Sequence, residues 1–207
     1  MKTFVFQGDS ITDSGRDRNN DDYRGNGYPT LVAGRIGADR PGEFRFLNRG
    51  VSGDRIVNIN CRIKCDLINL QPDYLSVLIG INDVWHEVGG RNGVDDEKFR
   101  RTYLEIIEEV QRMCPGVKIF ILEPFVLRGA ATDGSWGIFD RETKKRAVSA
   151  RFVAEKTGCV FVPLQATFDA ACEKAPVSFW LHDGVHPTAM GHELIARALT
   201  EAFYANE

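Results

Sequence analysis

The chain has 207 residues, with 26 Lys and Arg against 29 Asp and Glu, a formal net charge of −3. Hydrophobic residues make up 43% and charged residues 27%, which excludes a disordered chain and predicts one domain over residues 1–207 with a self-sufficient core. There is no basic field to attract nucleic acid. No apolar run reaches the roughly 18 residues of a membrane span, so neither nucleic acid nor membrane is an expected partner. The N-terminus meets Asp9 without a long apolar segment and does not read as a signal peptide. Cys61, Cys65, Cys114, Cys159 and Cys172 are odd in number and form no C-x-x-C pair. Reduced thiols in a cytoplasmic protein are the expectation.

The predicted elements alternate. Thr3–Phe6 is a short apolar run ending at Gly8, a strand. Tyr28–Gly37 reads as a helix with Leu31, Val32 and Ile36 on one side. Phe44–Leu47 is a second strand, stopped by Asn48-Arg49-Gly50. Ile56–Leu70 places Ile59, Ile63, Leu67 and Leu70 at helical spacing before Pro72. Tyr74–Ile79 is continuously β-rich, the pattern of a strand buried on both faces. Asp95–Met113 is the clearest helix: Phe99, Tyr103, Ile106, Val110 and Met113 form its stripe, and acidic residues suit its N-terminal dipole. Val117–Leu122 is another strand. Pro124–Gly137 reads as a long glycine-rich loop, Asp140–Thr157 as a helix ended by Gly158, and Val160–Val162 as a short strand. Gln165–Lys174 and Thr188–Tyr204 close the chain as helices. Strands separated by helices require crossovers and predict a mostly parallel sheet in an α/β domain.

Polar motifs fall where three of these strands end: Gly8-Asp9-Ser10, then Asn48-Arg49-Gly50-Val51-Ser52-Gly53-Asp54, then Gly80-Ile81-Asn82-Asp83. In an open parallel sheet, chemistry gathers beyond the carboxyl ends of the strands. A fourth motif, Asp183-Gly184-Val185-His186-Pro187, precedes the last helix and sets a carboxylate three positions from an imidazole. These residue types fit acyl transfer. A serine hydroxyl needs a base to take its proton, and histidine, with a reference pKa near 6.5, is suited to that work. Asp183 would orient the ring of His186. The oxyanion of a tetrahedral intermediate needs fixed donors, which the backbone N–H groups of Ser10 and Gly53 and the side-chain amide of Asn82 can supply.

These four blocks, in this order and running from residue 8 to 187, resemble those of the SGNH (GDSL) hydrolase family. The resemblance implies a three-layer α/β/α sandwich around a flavodoxin-like, five-stranded parallel sheet of order 2-1-3-4-5. It implies Ser10 as nucleophile and oxyanion donor, Gly53 and Asn82 as the other donors, and His186 with Asp183 as base and orienter. Gly-Asp-Ser-Ile-Thr-Asp-Ser-Gly-Arg16, Gly27-Tyr28 and Ile-Gly-Ile-Asn-Asp-Val-Trp85 are similar to the intracellular acetyl xylan esterases of that family. That likeness implies a cofactor-free serine esterase acting on a small-molecule acyl ester, an acetylated carbohydrate, and a possible homo-oligomer. An acyltransferase, lysophospholipase, thioesterase or alkyl acetate esterase stays open, as does a silent carbohydrate-binding relative.

Each assignment has a plainer competitor. Ser10 could be a helix cap, Asn82 a turn cap, and Gly53 only a position needing positive φ. Asp9 is expected to hydrogen-bond its own turn, since Asp183 already fits the orienting role. His182, His186 and His192 offer the rival constellation of a metal-dependent hydrolase, but Gly184 and Pro187 argue for a loop without a ligand-aligning helix, so no metal is expected. His86 and His192 read as solvated surface residues. Trp85, Trp136 and Trp180 are candidates for stacking on a sugar ring, with core packing as the alternative. Arg16, Arg18, Asp21 and Asp22 read as a solvated loop, with a place on the substrate rim as the second reading.

Overall fold

The computed structural model describes residues 1–207. Five strands, β1 (Lys2–Gly8), β2 (Phe44–Asn48), β3 (Tyr74–Leu78), β4 (Lys118–Leu122) and β5 (Val160–Val162), pair in parallel in the order β2-β1-β3-β4-β5. Because side chains alternate along a strand, each strand feeds two cores. Phe4, Phe6, Phe120 and Leu122 point to one face, packed beneath α2 (Tyr28–Asp39) and α9 (Ala189–Ala205). Val5, Leu75, Val77, Ile119 and Ile121 point to the other, covered by α3 (Ile56–Asp66), α5 (Asp96–Met113) and α6 (Trp136–Thr157). Burial on both sides explains the unbroken apolar runs in the sequence. The first face is aromatic: Phe4 stacks on Phe6 with ring centroids 4.7 Å apart and also meets Phe46, Tyr74, Phe120 and Phe203.

Three departures from the predicted elements affect the site. A one-turn helix, α1 (Ser10–Asp13), follows β1 directly. A helix absent from the sequence reading, α4 (Ile81–Gly90), follows β3, so Asn82 and Asp83 lie in a first helical turn. The segment read as a loop to Gly137 is shorter, because α6 starts at Trp136, after a 3-10 turn at Asp133–Ser135. Ile56–Leu70 is likewise split into α3 and a 3-10 turn at Ile68–Leu70. Two further helices, α7 (Gln165–Cys172) and α8 (Val177–Trp180), complete the fold. No helix is long and apolar enough to cross a membrane.

Candidate active site

The serine turn is built by Asp9. Its Oδ1 accepts the N–H of Ile11 at 3.0 Å, making Asp9, not Ser10, the cap of α1. Ser10 is therefore free to present its hydroxyl, and its N–H belongs to a helix start, where backbone donors have no intrahelical acceptor. Asp9 is buried, and burial drives its carboxyl up to about 7 despite the Ile11 N–H and the nearby His186.

The second motif is bonded to this turn. Val51 N–H donates to Gly8 O at 3.0 Å, and the Asn48 amide nitrogen donates to Thr12 O at 2.6 Å and Arg24 O at 2.8 Å. Asp13 Oδ2 accepts both the N–H and the hydroxyl of Ser52, each at 3.0 Å. Gly53 adopts φ +85°, where L side chains are strained, and its N–H donates to no protein acceptor. The third motif joins the second through two adjacent side chains. Asn82 Nδ2 donates to Asp54 O at 3.1 Å, which uses one of its two hydrogens. Asp83 accepts Ile56 N–H on both oxygens, at 3.1 and 3.2 Å. Burial lifts the Asp83 carboxyl to about 8, against the pull of that N–H and of Arg146.

The fourth motif closes the site. Ser10 Oγ lies 3.0 Å from His186 Nε2, and His186 Nδ1 lies 2.7 Å from Asp183 Oδ2. Asp183 Oδ1 also accepts the N–H groups of Val185 at 2.9 Å and His186 at 2.8 Å. Burial alone would raise this carboxyl, but those two N–H groups and the imidazole outweigh it and hold it below the usual range. Gly184, at φ +101°, makes the turn possible. The loop docks on the segment after β4: Leu127 N–H donates to Gly184 O and Ala131 N–H to Asp183 O, each at 2.9 Å. Gly129 is needed here because a Cβ would stand 2.5 Å from the carbonyl carbon of Asp183. Together these contacts make a hydroxyl, imidazole and carboxylate relay, an arrangement suited to activating a serine.

The tryptophans separate. Trp85, on α4, lies 5.7 Å from the His186 ring and edge-on to Phe139. All three tryptophans pack half-buried against the first core, and Trp136 and Trp180 have no such contact with the His186 ring. His192 departs from its expected surface position. It is buried, because α9 turns residues 192, 195, 196, 199 and 203 toward the sheet. Tyr28 N–H donates to His192 Nδ1 at 3.2 Å, which leaves the ring hydrogen on Nε2, facing Ser14 Oγ at 3.4 Å. This second serine–histidine pair thus has the wrong tautomer for a base. Burial pushes the His192 pKa down to about 4, with His182 and His186 adding to the effect. No three His, Cys, Asp or Glu side chains gather to hold a metal.

The clamps were not identified from sequence. Asn48 stands in the second block, but its acceptors lie 24 to 36 residues away. Asp13 and Gly129 carry no motif signal beyond turn chemistry.

Known proteins resemble this chain along nearly its whole length. Residues 6–194 match the model of the GDSL-like lipase/acylhydrolase family. An acetylxylan esterase of Geobacillus stearothermophilus is 30% identical over 203 residues, covering 94% of this chain and 90% of that protein. The crystal structure of Axe2, an acetylxylan esterase from the same organism, superposes with a TM-score of 0.87 over 97% of this chain and 93% of that one, at 29% identity. Two structures of that esterase are of catalytic mutants, one with a serine and one with an aspartate replaced by alanine. A protein from Parabacteroides merdae ATCC 43184, described as GDSL-like, superposes with a TM-score of 0.90 at 36% identity, covering 97% of this chain and 94% of that one. The chain belongs to the GDSL-like lipase/acylhydrolase family and is a carboxylic ester hydrolase.

Proposed function

We propose that the enzyme removes acetyl groups from an acetylated carbohydrate, with acetylated xylo-oligosaccharides as the first candidates, through an acetyl-serine intermediate. The observation that carries this reading is the unbroken relay from Ser10 through His186 to Asp183, at 3.0 and 2.7 Å. Ser10 Oγ attacks the ester carbonyl carbon as His186 Nε2 takes its proton. The developing oxyanion is received by the N–H groups of Ser10 and Gly53 and by the remaining amide hydrogen of Asn82. Collapse breaks the bond to the sugar oxygen, and the imidazolium returns its proton to that oxygen. Water then attacks the acetyl carbon, giving its proton to His186, and acetate leaves as Ser10 recovers the hydrogen. Asp183 keeps the Nδ1 hydrogen in place and stabilises the imidazolium.

A carbohydrate ester is supported by the surroundings. The His186 side chain is 40% exposed, so the base of the relay stands at the protein surface. Such an exposed position admits a bulky alcohol at the ester. Trp85 stands beside His186 as the platform for a sugar ring. The acetylxylan esterase relative supports the same substrate class. Residence in the cytoplasm and assembly into a homo-oligomer belong to this reading as well, and fractionation and light scattering test them. The function is tested by acetate release, ranked by kcat/KM, from acetylated xylo-oligosaccharides, other acetylated sugars and alkyl acetates. A preference for the xylo-oligosaccharides is expected. Equal rates on alkyl acetates, or a preference for long acyl chains, would overturn the assignment.

A further inference from the structure

Between α1 and α2 the chain makes a polar excursion that the ester chemistry does not use. It walls a cavity of about 370 Å³ lined only by Arg16, Arg18, Asn19, Asp21, Arg49 and Asp66. The two carboxylates on that wall are already engaged. Asp21 accepts from Arg49 at 2.6 and 3.1 Å and from Arg45 at 3.1 Å. Asp66 accepts from Arg62 Nε at 2.8 Å. Arg16 has no such partner. Its half-buried guanidinium is fixed by one bond, from Nε to Gly50 O at 2.7 Å, and no carboxylate stands within 4.0 Å of it. Arg18 reaches only Asp13, at 3.6 Å, and that same oxygen already accepts two bonds from Ser52.

An arginine remains charged in a protein, so Arg16 carries a positive charge into a partly desolvated wall with its terminal N–H groups uncommitted. Its pKa is lowered by that burial, with Arg49 and Arg18 adding to the effect against the opposing pull of Asp13. The chain as a whole is negative, so this local excess of donors is not a general surface property. A planar guanidinium held at Nε offers its outer edge to a pair of oxygens. We propose that this pocket is an anion-binding site for an oxyanion ligand, a carboxylate or phosphate group, held by Arg16 and Arg18 with the amide of Asn19 beside them. Through Gly50 it adjoins the loop that carries Gly53.

The test is a titration of the full-length protein, followed through arginine Nε–Hε and backbone amide resonances, at constant ionic strength. Sodium glucuronate represents an acidic sugar, inorganic phosphate a free ion, and sodium chloride the control. The expected result is a saturable shift at Arg16 with a dissociation constant in the millimolar range for one or both oxyanions. That is about what a few charge-assisted hydrogen bonds in an open pocket sustain. Which probe binds more tightly identifies the source of the anion. Arg18→Gln, at an exposed position, should weaken binding about tenfold without unfolding the chain, and Arg16→Gln should abolish it. Shifts no larger than those of chloride, or binding unchanged in both variants, would overturn the proposal. The readout needs no turnover, so it stands or falls independently of the substrate assignment.

Discussion

Replacing Asp183 by Asn and by Ala separates orientation of the His186 ring from stability of its loop. The carboxylate accepts three bonds: two backbone N–H groups on Oδ1, at 2.8 and 2.9 Å, and the imidazole on Oδ2, at 2.7 Å. Asp183→Asn retains an acceptor at Oδ1 and so keeps the turn, but it points an NH2 group at His186 Nδ1. The ring must then accept there and carry its hydrogen on Nε2, facing Ser10, where it can no longer take a proton. Loss of the correct tautomer and of the carboxylate charge should lower kcat about 10³- to 10⁴-fold, or about 4–5.5 kcal/mol of barrier, with little change in melting temperature. Asp183→Ala also removes the acceptor for both backbone groups. At about 1 kcal/mol per lost bond and about 2–4 °C per kcal/mol for a domain of this size, it should melt about 4–8 °C lower. Paired p-nitrophenyl acetate kinetics and thermal melts decide the matter. If Asp183→Asn kept more than about a tenth of wild-type kcat with its fold intact, the tautomer argument would fail.

Other consequences follow from the same contacts. Asn82→Ala removes one of the donors proposed for the oxyanion and should cost about 10²- to 10³-fold in kcat with KM little changed, since the oxyanion exists only after attack. The same variant also frees Asp54 O, so a melt belongs beside the kinetics. Gly129→Ala would force a methyl group to 2.5 Å from the Asp183 backbone. It should lower both kcat and melting temperature, whereas alanine at the unobstructed Gly137 should not. Burial holds the His192 pKa at about 4, so the folded ring stays neutral while the unfolded ring takes a proton below about 6.5. Its contribution is therefore complete above pH 6.5 and is lost as pH falls toward 4. At about 1.4 kcal/mol per tenfold, the contribution approaches about 3 kcal/mol. Asp9 and Asp83, both raised, tilt stability the other way over that range. The measurement is thus the difference between wild-type and His192→Gln denaturation curves across pH 4–7, and a pH-independent difference would contradict the buried-neutral assignment.

Much of this architecture was legible in the sequence because burial on both faces makes strands such as Tyr74–Leu78 uniformly apolar, and because α5 keeps a regular stripe. Helix α4 was not. Ile81, Val84, Trp85 and Val88 do sit at helical spacing, but the Asn-Asp motif and the terminal Gly89-Gly90 pair resemble turn chemistry. The start of α6 was missed for a similar reason, with Gly134 and Gly137 masking the first turn. The first three polar motifs stood out in the sequence because each follows a strand end, and the parallel sheet of order β2-β1-β3-β4-β5 carries them to one edge, while the fourth lies in the loop before α9. What could not be read were the contacts between motifs. The capping role of Asp9, the bonds from Asn48 and Asp13 across the serine turn, and the close approach of Gly129 to Asp183 depend on tertiary packing. His192 was misread because a polar ring was assumed to face solvent, although its spacing from Ile195, Ala196 and Leu199 places it on the inward side of α9.

The central claim is that His186 and Asp183 activate Ser10 as a nucleophile. Mass spectrometry of the protein after exposure to a fluorophosphonate tests it most directly. One phosphonyl adduct per chain is expected, mapped to the peptide containing Ser10, with complete loss of esterase activity and no adduct in Ser10→Ala. Labelling confined to another residue, or full activity in Ser10→Ala, would contradict the account.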